Sequence, residues 1–426
     1  MNSAITSPHP NPLPVGEVTR PLPVGEGWGE GLRVMQLVSN LDIGGAQEVV
    51  RTLAEQLATA GCPVVVCTLR DGPLRRDIEA LGIPVEVLPD RRKTVVDLPA
   101  FAREMLGLRR TLLDLIGRYQ IEVVQTHLLR SLDFLALSLK AGQGGRGLKV
   151  YWTFHNANFD LRSDHMPKGR SLHRWLLAPK RRAHHLLYRL GARWANGLIA
   201  VAPEVKTSIL ATMPLPAEKI VVINNGVDAG RYRAAVDRTA MRRGLGLEEG
   251  DRAIVVVATL KEQKGHRYLI DAAAALAEQF PTARFLFAGD GELRQDLTDR
   301  IAARGLEQRV HLLGSRQDVP ALLAAADLFV LPSLWEGLSM ALVEAMASAL
   351  PIVATEVSGT RQVLTHGETG LLVPPGDSEA LARAIAAMLA DPARAAAMGE
   401  AARHHIETNF GARQQAAEHL ALFNRG

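Results

Sequence analysis

"LFVLPSLWEGLSMALVEAMASALPIVATEV", Leu328 to Val357, reads as a strand, a loop, a helix and a second strand. The apolar runs "LFVLPS" and "PIVATEV" have strand length, and the segment between them has helical composition. Leu334 to Leu338 form the loop, and Ser339 is placed to cap a helix running to about Ala349. Two strands joined through a helix suit a parallel sheet.

The same rhythm extends in both directions. Upstream, "RVMQLVS", "PVVVCTL", "VEVLP", "VVQTH", "KVYWTFH" and "GLIAVA" read as strands, and "AIVVVATL", "ARFLFAGDG" and "RVHLLG" do so in the second half. Helical segments such as "LIDAAAALAEQF" separate them. The expectation is an α/β protein with two Rossmann-like, doubly wound domains facing a cleft. A length of 426 residues suits two domains. The boundaries read as a tail over 1–31, a first domain over 32–224, a second over 225–408 and a final helical piece over 409–426. The junction falls near "INNGVDAGRY", Ile223 to Tyr232, where Asn-Asn-Gly signals a turn.

Ligands of doubly wound sheets bind beyond the carboxyl ends of the strands, so the residues after each strand carry the functional reading. Glu336 lies in a strand-to-helix loop and Glu344 in the helix that follows. The free N–H groups between them, at Gly337, Leu338, Ser339 and Met340, open a helix and suit an anion such as a diphosphate. Spacing alone leaves open that Glu344 is a solvated helix residue and Glu336 an ordinary loop carboxylate. Gly44 and Gly45 follow the first strand, either as a close-approach loop at the cleft mouth or as a plain turn. His127 and His155 both end strands and point to the same edge; a lone histidine there is also a common structural residue.

Glu336 and Glu344 form an E-x7-E pattern. "GGAQE" (Gly44–Glu48), "NGVD" (Asn225–Asp228), "KEQKGH" (Lys261–His266), "AGDGELR" (Ala288–Arg294) and "ETGLLVPPGD" (Glu368–Asp377) stand around it in order. In that set the chain resembles the retaining GT-B glycosyltransferases of family 4, the glycosyltransferase group 1 proteins, over essentially Leu32 to Gly426. The resemblance implies a sugar-nucleotide donor held mainly by the second domain and a glycan or lipid-linked acceptor held by the first. It assigns Glu344 to the ribose hydroxyls, Glu336 to the donor sugar, the amides around Gly337 to Met340 to the diphosphate, and Lys264 to the charge that develops on the leaving group. Gly45 and Thr259 join this donor set. His127 would orient the sugar or stabilise the anomeric carbon, and Gly44, Gln47 and His155 would stand on the acceptor side, with Glu48 a weaker candidate there. The implied reaction uses the departing phosphate to take the acceptor's proton, with no cofactor and no metal. The final piece, "FGARQQAAEHLALFNR", would cross back to the first domain.

Two positions depart from the family pattern. An arginine usually stands five residues before Lys264, and this chain reads Thr259 in "ATL", which makes Lys261 or another nearby cation a candidate substitute. A Gly-Gly-x-x-Glu segment is replaced by "SGTRQ", Ser358 to Gln362, to which no role is assigned.

Composition narrows the rest. Cys62 and Cys67 read as buried thiols of a reducing cytoplasm. No apolar run reaches membrane-spanning length. The segment Lys168 to Trp194 interleaves Arg, Lys and His with Leu, Trp and Tyr, which suits an anionic membrane surface or, more plainly, a solvated helical face. The expected location is therefore cytoplasmic, peripheral on the inner face of the membrane. A formal net charge of +4 and no recognition motif argue against nucleic acid. His184, His185, His404 and His405 lack companion metal ligands. The tail repeats Leu-Pro-Val-Gly-Glu, is rich in Pro and Gly, and is expected to be disordered, with the natural start near Met35. A nicotinamide-dependent dehydrogenase is disfavoured because "GDGELR" lacks the third glycine of its fingerprint. A silent sugar-nucleotide-binding protein and a GT-B epimerase are the remaining alternatives.

Overall fold

A computed structural model of the protein describes residues 31–89, 98–127, 130–140, 147–155, 186–212, 215, 217–233 and 236–425. The expected tail, apart from Gly31, and residues 168–185 of the basic segment lie outside the described residues.

Two parallel sheets organise the chain. The first comprises β1 (Val34–Val38), β2 (Val64–Thr68), β3 (Val85–Val87), β4 (Val123–His127), β5 (Lys149–Phe154), β6 (Gly197–Ala200) and β7 (Ile220–Val222), in the order β3-β2-β1-β4-β5-β6-β7. The second comprises β8 (Arg252–Val257), β9 (Ala283–Ala288), β10 (Val310–Gly314), β11 (Leu328–Leu331), β12 (Ile352–Thr355) and β13 (Leu371–Val373), in the order β10-β9-β8-β11-β12-β13. β1, β2, β4 and β6 are buried along their whole length, as strands with helices over both faces must be. The sequence reading lacked β7 and β13. Both are short and run directly into the turn residues of "INNGVD" and "VPPGD", which dominate the reading there.

The order in which successive strands are added reverses between β1 and β4 in one sheet and between β8 and β11 in the other. These switch points open clefts at the carboxyl ends of the strands, and they place the β1 loop opposite the β11 loop. Gly45 opens the helix Gly45–Thr59 after β1, and an added Cβ there would fall 3.4 Å from Met340. Met340 opens the helix after β11, so the two helix starts meet.

The helix after β11 runs Met340–Ala347, two residues short of the expected end. Ser348 caps it and Ala349 turns left-handed at φ 56°, which stops the ladder. Its neighbour, the helix Pro392–Asn409, approaches there through Gly399, whose Cβ would lie 2.2 Å from the Ala349 carbonyl oxygen. The last helix, Ala412–Arg425, then packs on the helix Gly45–Thr59 of the first half. Phe423 stacks on Tyr151 at 4.9 Å between centroids, and Lys149 Nζ donates to the Phe423 carbonyl at 2.7 Å. The chain passes between the halves twice, side by side. Val227 N donates to the Phe410 carbonyl at 2.9 Å, and a Cβ on Gly226 would sit 2.7 Å from Ala412 Cα. That close approach explains the glycine of "NGVD".

Candidate functional site

The cleft between the sheets has a volume of about 410 Å³ and takes side chains from both halves. Its second-half wall is the loop and helix after β11. Leu338, Ser339, Met340 and Glu344 line it, with Glu336 at one end. Ser339 occupies the cap position in extended backbone and lines the cleft, and its hydroxyl makes no cap hydrogen bond. Lys264 Nζ forms an ion pair with Glu336 Oε2, to which Ser333 Oγ also donates at 3.3 Å. The loop is tied down by Leu334 N donating to the Gln263 carbonyl (2.7 Å) and Gln263 Nε2 donating to the Trp335 carbonyl (2.9 Å). Gly265 follows at φ 64°, where a Cβ would fall 2.0 Å from the Pro332 carbonyl oxygen. Lys264 is thus aimed by a turn that only glycine permits.

Two helix N-termini converge on this wall, one starting at Gly45 and the other at Met340. Their free N–H groups and dipoles make the space between them favourable for a diphosphate, with Lys264 as the full positive charge beside it.

The first-half wall is built differently. Gly44, Gly45, Glu48 and His155 line the cleft. His127, expected at the sugar, is buried and lies behind His155, and the two rings share a 3.0 Å contact between His127 Nδ1 and His155 Nε2. The physical reason is register: His127 is the last residue of β4, a central strand, where its side chain is roofed by the neighbouring elements. A buried polar chain continues inward. Gln36 Nε2 donates to Gln125 Oε1 at 2.9 Å, and Gln125 Nε2 donates to Thr153 Oγ1 at 2.7 Å. With the amides so oriented, Gln36 Oε1 accepts from His127 Nε2–H, His127 Nδ1 accepts from His155 Nε2–H, and His155 Nδ1 is left as a lone pair. That Nδ1 is buried and has no protein partner among the described residues. Burial holds both histidines down, His155 to about 4, with His419 on the last helix adding to it. Both rings are neutral at pH 7. Gln47 donates from Nε2 to Asn40 Oδ1 at 2.8 Å and does not line the cleft, so its amide braces the loop after β1.

The two carboxylates of the E-x7-E pair stand in contrasting surroundings. Burial pushes the Glu344 carboxyl up to about 8, and Glu48 across the cleft adds to it, while the Tyr232 hydroxyl, Arg231 and Arg51 pull it back. Glu344 is therefore largely protonated at neutral pH. Glu48 itself is paired with Arg231 and accepts from Arg51 Nε at 2.8 Å.

Among the polar lining residues that sequence reasoning missed, four stand out. Arg231 and Tyr232 lie in the junction, where only the turn was legible. Asn225, of "NGVD", is buried with its Oδ1 unpartnered among the described residues. Arg316 follows β10 and is held by Asp318 through a 2.7 Å Nε–Oδ1 contact. Thr259 lines the cleft with an exposed side chain. Lys261, expected as a substitute cation, caps the short turn Glu262–Lys264 and is exposed outside the lining. Gly337 stands between two lining residues with open space where a Cβ would be. Among the described residues no group of three or more His, Cys, Asp or Glu side chains is placed to hold a metal ion.

Comparisons with known proteins address both halves. Residues 43–231 match the model described as Glycosyltransferase Family 4, and residues 237–405 match Glycosyl transferases group 1. The UDP-Gal:alpha-D-GlcNAc-diphosphoundecaprenol alpha-1,3-galactosyltransferase of Escherichia coli is 32% identical over 214 residues, 48% of this chain and 55% of that protein. The lipopolysaccharide core biosynthesis mannosyltransferase LpsB of Rhizobium meliloti is 31% identical over 209 residues, 47% of this chain and 60% of that protein. The chain thus spans between half and two thirds of the length of these two relatives. Among solved structures, Anabaena HepE in complex with UDP-glucose superposes with a TM-score of 0.73 at 25% identity, covering 92% of this chain and 99% of that one. WaaG, a glycosyltransferase involved in lipopolysaccharide biosynthesis, gives 0.69 at 18% identity, covering 92% and 100%. With its two facing doubly wound sheets, matched by these two models in succession, the chain belongs to the family 4, or group 1, glycosyltransferases and has the GT-B fold.

Proposed function

We propose that the protein transfers a hexose from a nucleoside diphosphate sugar to a glycan or lipid-linked acceptor in cell-surface polysaccharide assembly, with retained anomeric configuration. The observation that carries this reading is the meeting of two helix N-termini beside the Lys264–Glu336 pair. Breaking the anomeric bond leaves negative charge on the diphosphate, and fixed dipoles with a lysine meet that charge without reorganising. Glu344 accepts from the ribose hydroxyls once ligand has displaced its proton, Glu336 contacts the donor sugar, and His155 Nδ1 accepts a sugar hydroxyl, with His127 holding its ring. The amides around Gly337 to Met340 and Gly45 face the phosphates, and Gly44 borders the acceptor side. Lysine and helix ends supply the needed charge, so the reading requires no metal or other cofactor.

The acceptor reading is supported by the diphosphoundecaprenol in the name of the E. coli relative and by one face of the first half. There Leu186, Leu187, Leu190 and Trp194 are exposed on one helix, with Trp194 74% exposed, alongside Arg189 and Arg193. Such a face suits an anionic membrane surface, and no described helix is long and apolar enough to cross a membrane. Liposome co-sedimentation tests it, and equal recovery on neutral and anionic vesicles would count against it.

Thr259 favours a second reading, a catalytically silent sugar-nucleotide-binding protein. A thermal-shift series with uridine, guanosine and adenosine diphosphates and their sugar conjugates, followed by product analysis, separates the two. Ligand at a hundred times its dissociation constant should stabilise the fold by about 2.7 kcal/mol. A shift without released nucleoside diphosphate, across a panel of acceptors, would favour the silent protein.

A further inference from the structure

The segment "SGTRQ", Ser358 to Gln362, touches both halves of the molecule at once. Gln362 follows the four-residue helix Ser358–Arg361, and its side-chain Nε2 donates to Glu204 Oε2. Glu204 lies in the first turn of the helix Pro203–Thr212, which follows β6, so this hydrogen bond joins the first half to the second. At the other end of the turn, Ser358 Oγ and Gly359 N both donate to the Glu336 carbonyl oxygen, at 3.1 and 3.2 Å. A Cβ on residue 359 would fall 1.7 Å from the Gly337 carbonyl oxygen, so the turn presses directly on the loop that carries Glu336.

The turn between these contacts is stiff. Thr360 is fully buried, its Oγ1 donates to the Thr355 carbonyl at 2.6 Å, and Val357 N donates to that Oγ1 at 3.0 Å. It is therefore locked to the end of β12, and a pull at Gln362 moves the turn as one piece.

We propose that Gln362 is a positioning residue, coupling the seating of the two halves to the backbone of Glu336. The chemistry of the pair is specific. An amide donor answers the Glu204 carboxylate, whereas a carboxylate at 362, the residue type the family resemblance places there, would face a like charge. Glutamine and glutamate are complementary in either order across this contact, and two glutamates are not.

Three variants of the full chain test this: Gln362→Glu, Gln362→Ala, and Gln362→Glu combined with Glu204→Gln. Free-protein X-ray scattering and Trp335 emission, isolated by subtracting Trp335→Phe, report closure and the loop beside Glu336. Gln362→Glu should enlarge the radius of gyration and shift that emission, Gln362→Ala should do so less, and adding Glu204→Gln should reverse both. If transfer is established, kcat should fall about tenfold in Gln362→Glu, the size of one lost charge-assisted hydrogen bond, with acceptor KM unchanged and kcat restored in the double variant. Scattering and emission identical to the parent in Gln362→Glu, or no rescue by Glu204→Gln, would overturn the coupling. Only the kinetic part rests on the glycosyl-transfer reading. Loss of that reading would leave the scattering and emission results to decide the coupling.

Discussion

The two walls of the cleft hold their polar groups by different means. On the second-half wall, Glu336, Ser339 and Glu344 follow one another along a single loop and helix, and Lys264 is fixed by a glycine turn. On the first-half wall, His155 is aimed by a chain of side chains from three strands, β1, β4 and β5, each distant in sequence. The first arrangement rests on one loop and helix with an ion pair; the second rests on a chain of neutral amide, hydroxyl and imidazole groups. The difference is that fixed charge is set on one wall by backbone geometry and an ion pair, whereas on the other an acceptor lone pair on His155 is set by a tautomer fixed deep in the core.

The largest test strikes the charged wall. Lys264→Ala removes the lysine beside the proposed diphosphate site and strands Glu336, which Ser333 alone would then support. The expected loss in kcat is about 10² to 10³, as for removal of a group aimed at developing charge. Single-turnover assays at saturating donor would measure it. A loss under tenfold would mean that the helix ends carry the charge alone.

Glu344 tests the same wall through pH. Its ordinary value is 4.5 and the fold raises it to about 8, so the folded chain retains a proton that the unfolded chain releases between those limits. Stability must therefore fall as pH rises through that window and level off above about 8. At 1.36 kcal/mol per unit the cost above pH 8 is on the order of 3 to 5 kcal/mol. Glu344→Gln removes the ionisation. Its melting temperature should match the parent near pH 4.5 and exceed it by a growing margin toward pH 9. Donor affinity should move the other way, dropping about ten to a hundredfold at pH 8 with the loss of a charged acceptor. A parent whose melting temperature rises between pH 5 and 8, once other titrations are subtracted with the variant, would contradict the raised value.

On the neutral wall the expected effects are smaller. His127 acts through His155, so His127→Ala should lower kcat about tenfold, with nucleotide affinity unchanged. His127→Gln should recover part of that by still donating or accepting toward His155. An equal loss in both, accompanied by a lower melting temperature, would reduce His127 to a packing role.

The same contrast explains what could be read from the sequence. Apolar runs bounded by turns located the strands of both sheets except β7 and β13, and E-x7-E placed Glu336 and Glu344 on one wall because their spacing is a local property. Arg231 and Asn225 flank the crossing of two chain segments at Gly226 and Ala412, and no local period records that crossing. The order of His127 and His155 was reversed for a similar reason. Both end a strand, and only the packing around a central strand decides which ring is covered. The protonation of Glu344 was also out of reach, since it depends first on burial in the assembled cleft and then on Glu48, almost three hundred residues away in the chain.

The smallest expected effect concerns Thr259, and it decides whether the charged wall is complete. Three cations line the cleft among the described residues, and each already faces a protein carboxylate: Lys264 with Glu336, Arg231 with Glu48 and Arg316 with Asp318. Lys261 is exposed outside the lining, so Lys261→Ala should leave turnover within about twofold, the range of ordinary surface changes. Thr259→Arg places a cation at an exposed position of the cleft lining, five residues before Lys264. A fully buried charge-assisted hydrogen bond contributes about 1.5 to 3 kcal/mol, and solvent at this exposed loop reduces that. The expected gain in kcat/KM is therefore about three to tenfold, larger at low ionic strength. A gain that vanishes in high salt would show the added charge acting at long range. No gain at any ionic strength, in an enzyme that turns over, would mean that the helices opening at Gly45 and Met340 already satisfy the diphosphate, and that an arginine here is dispensable when two helix ends meet.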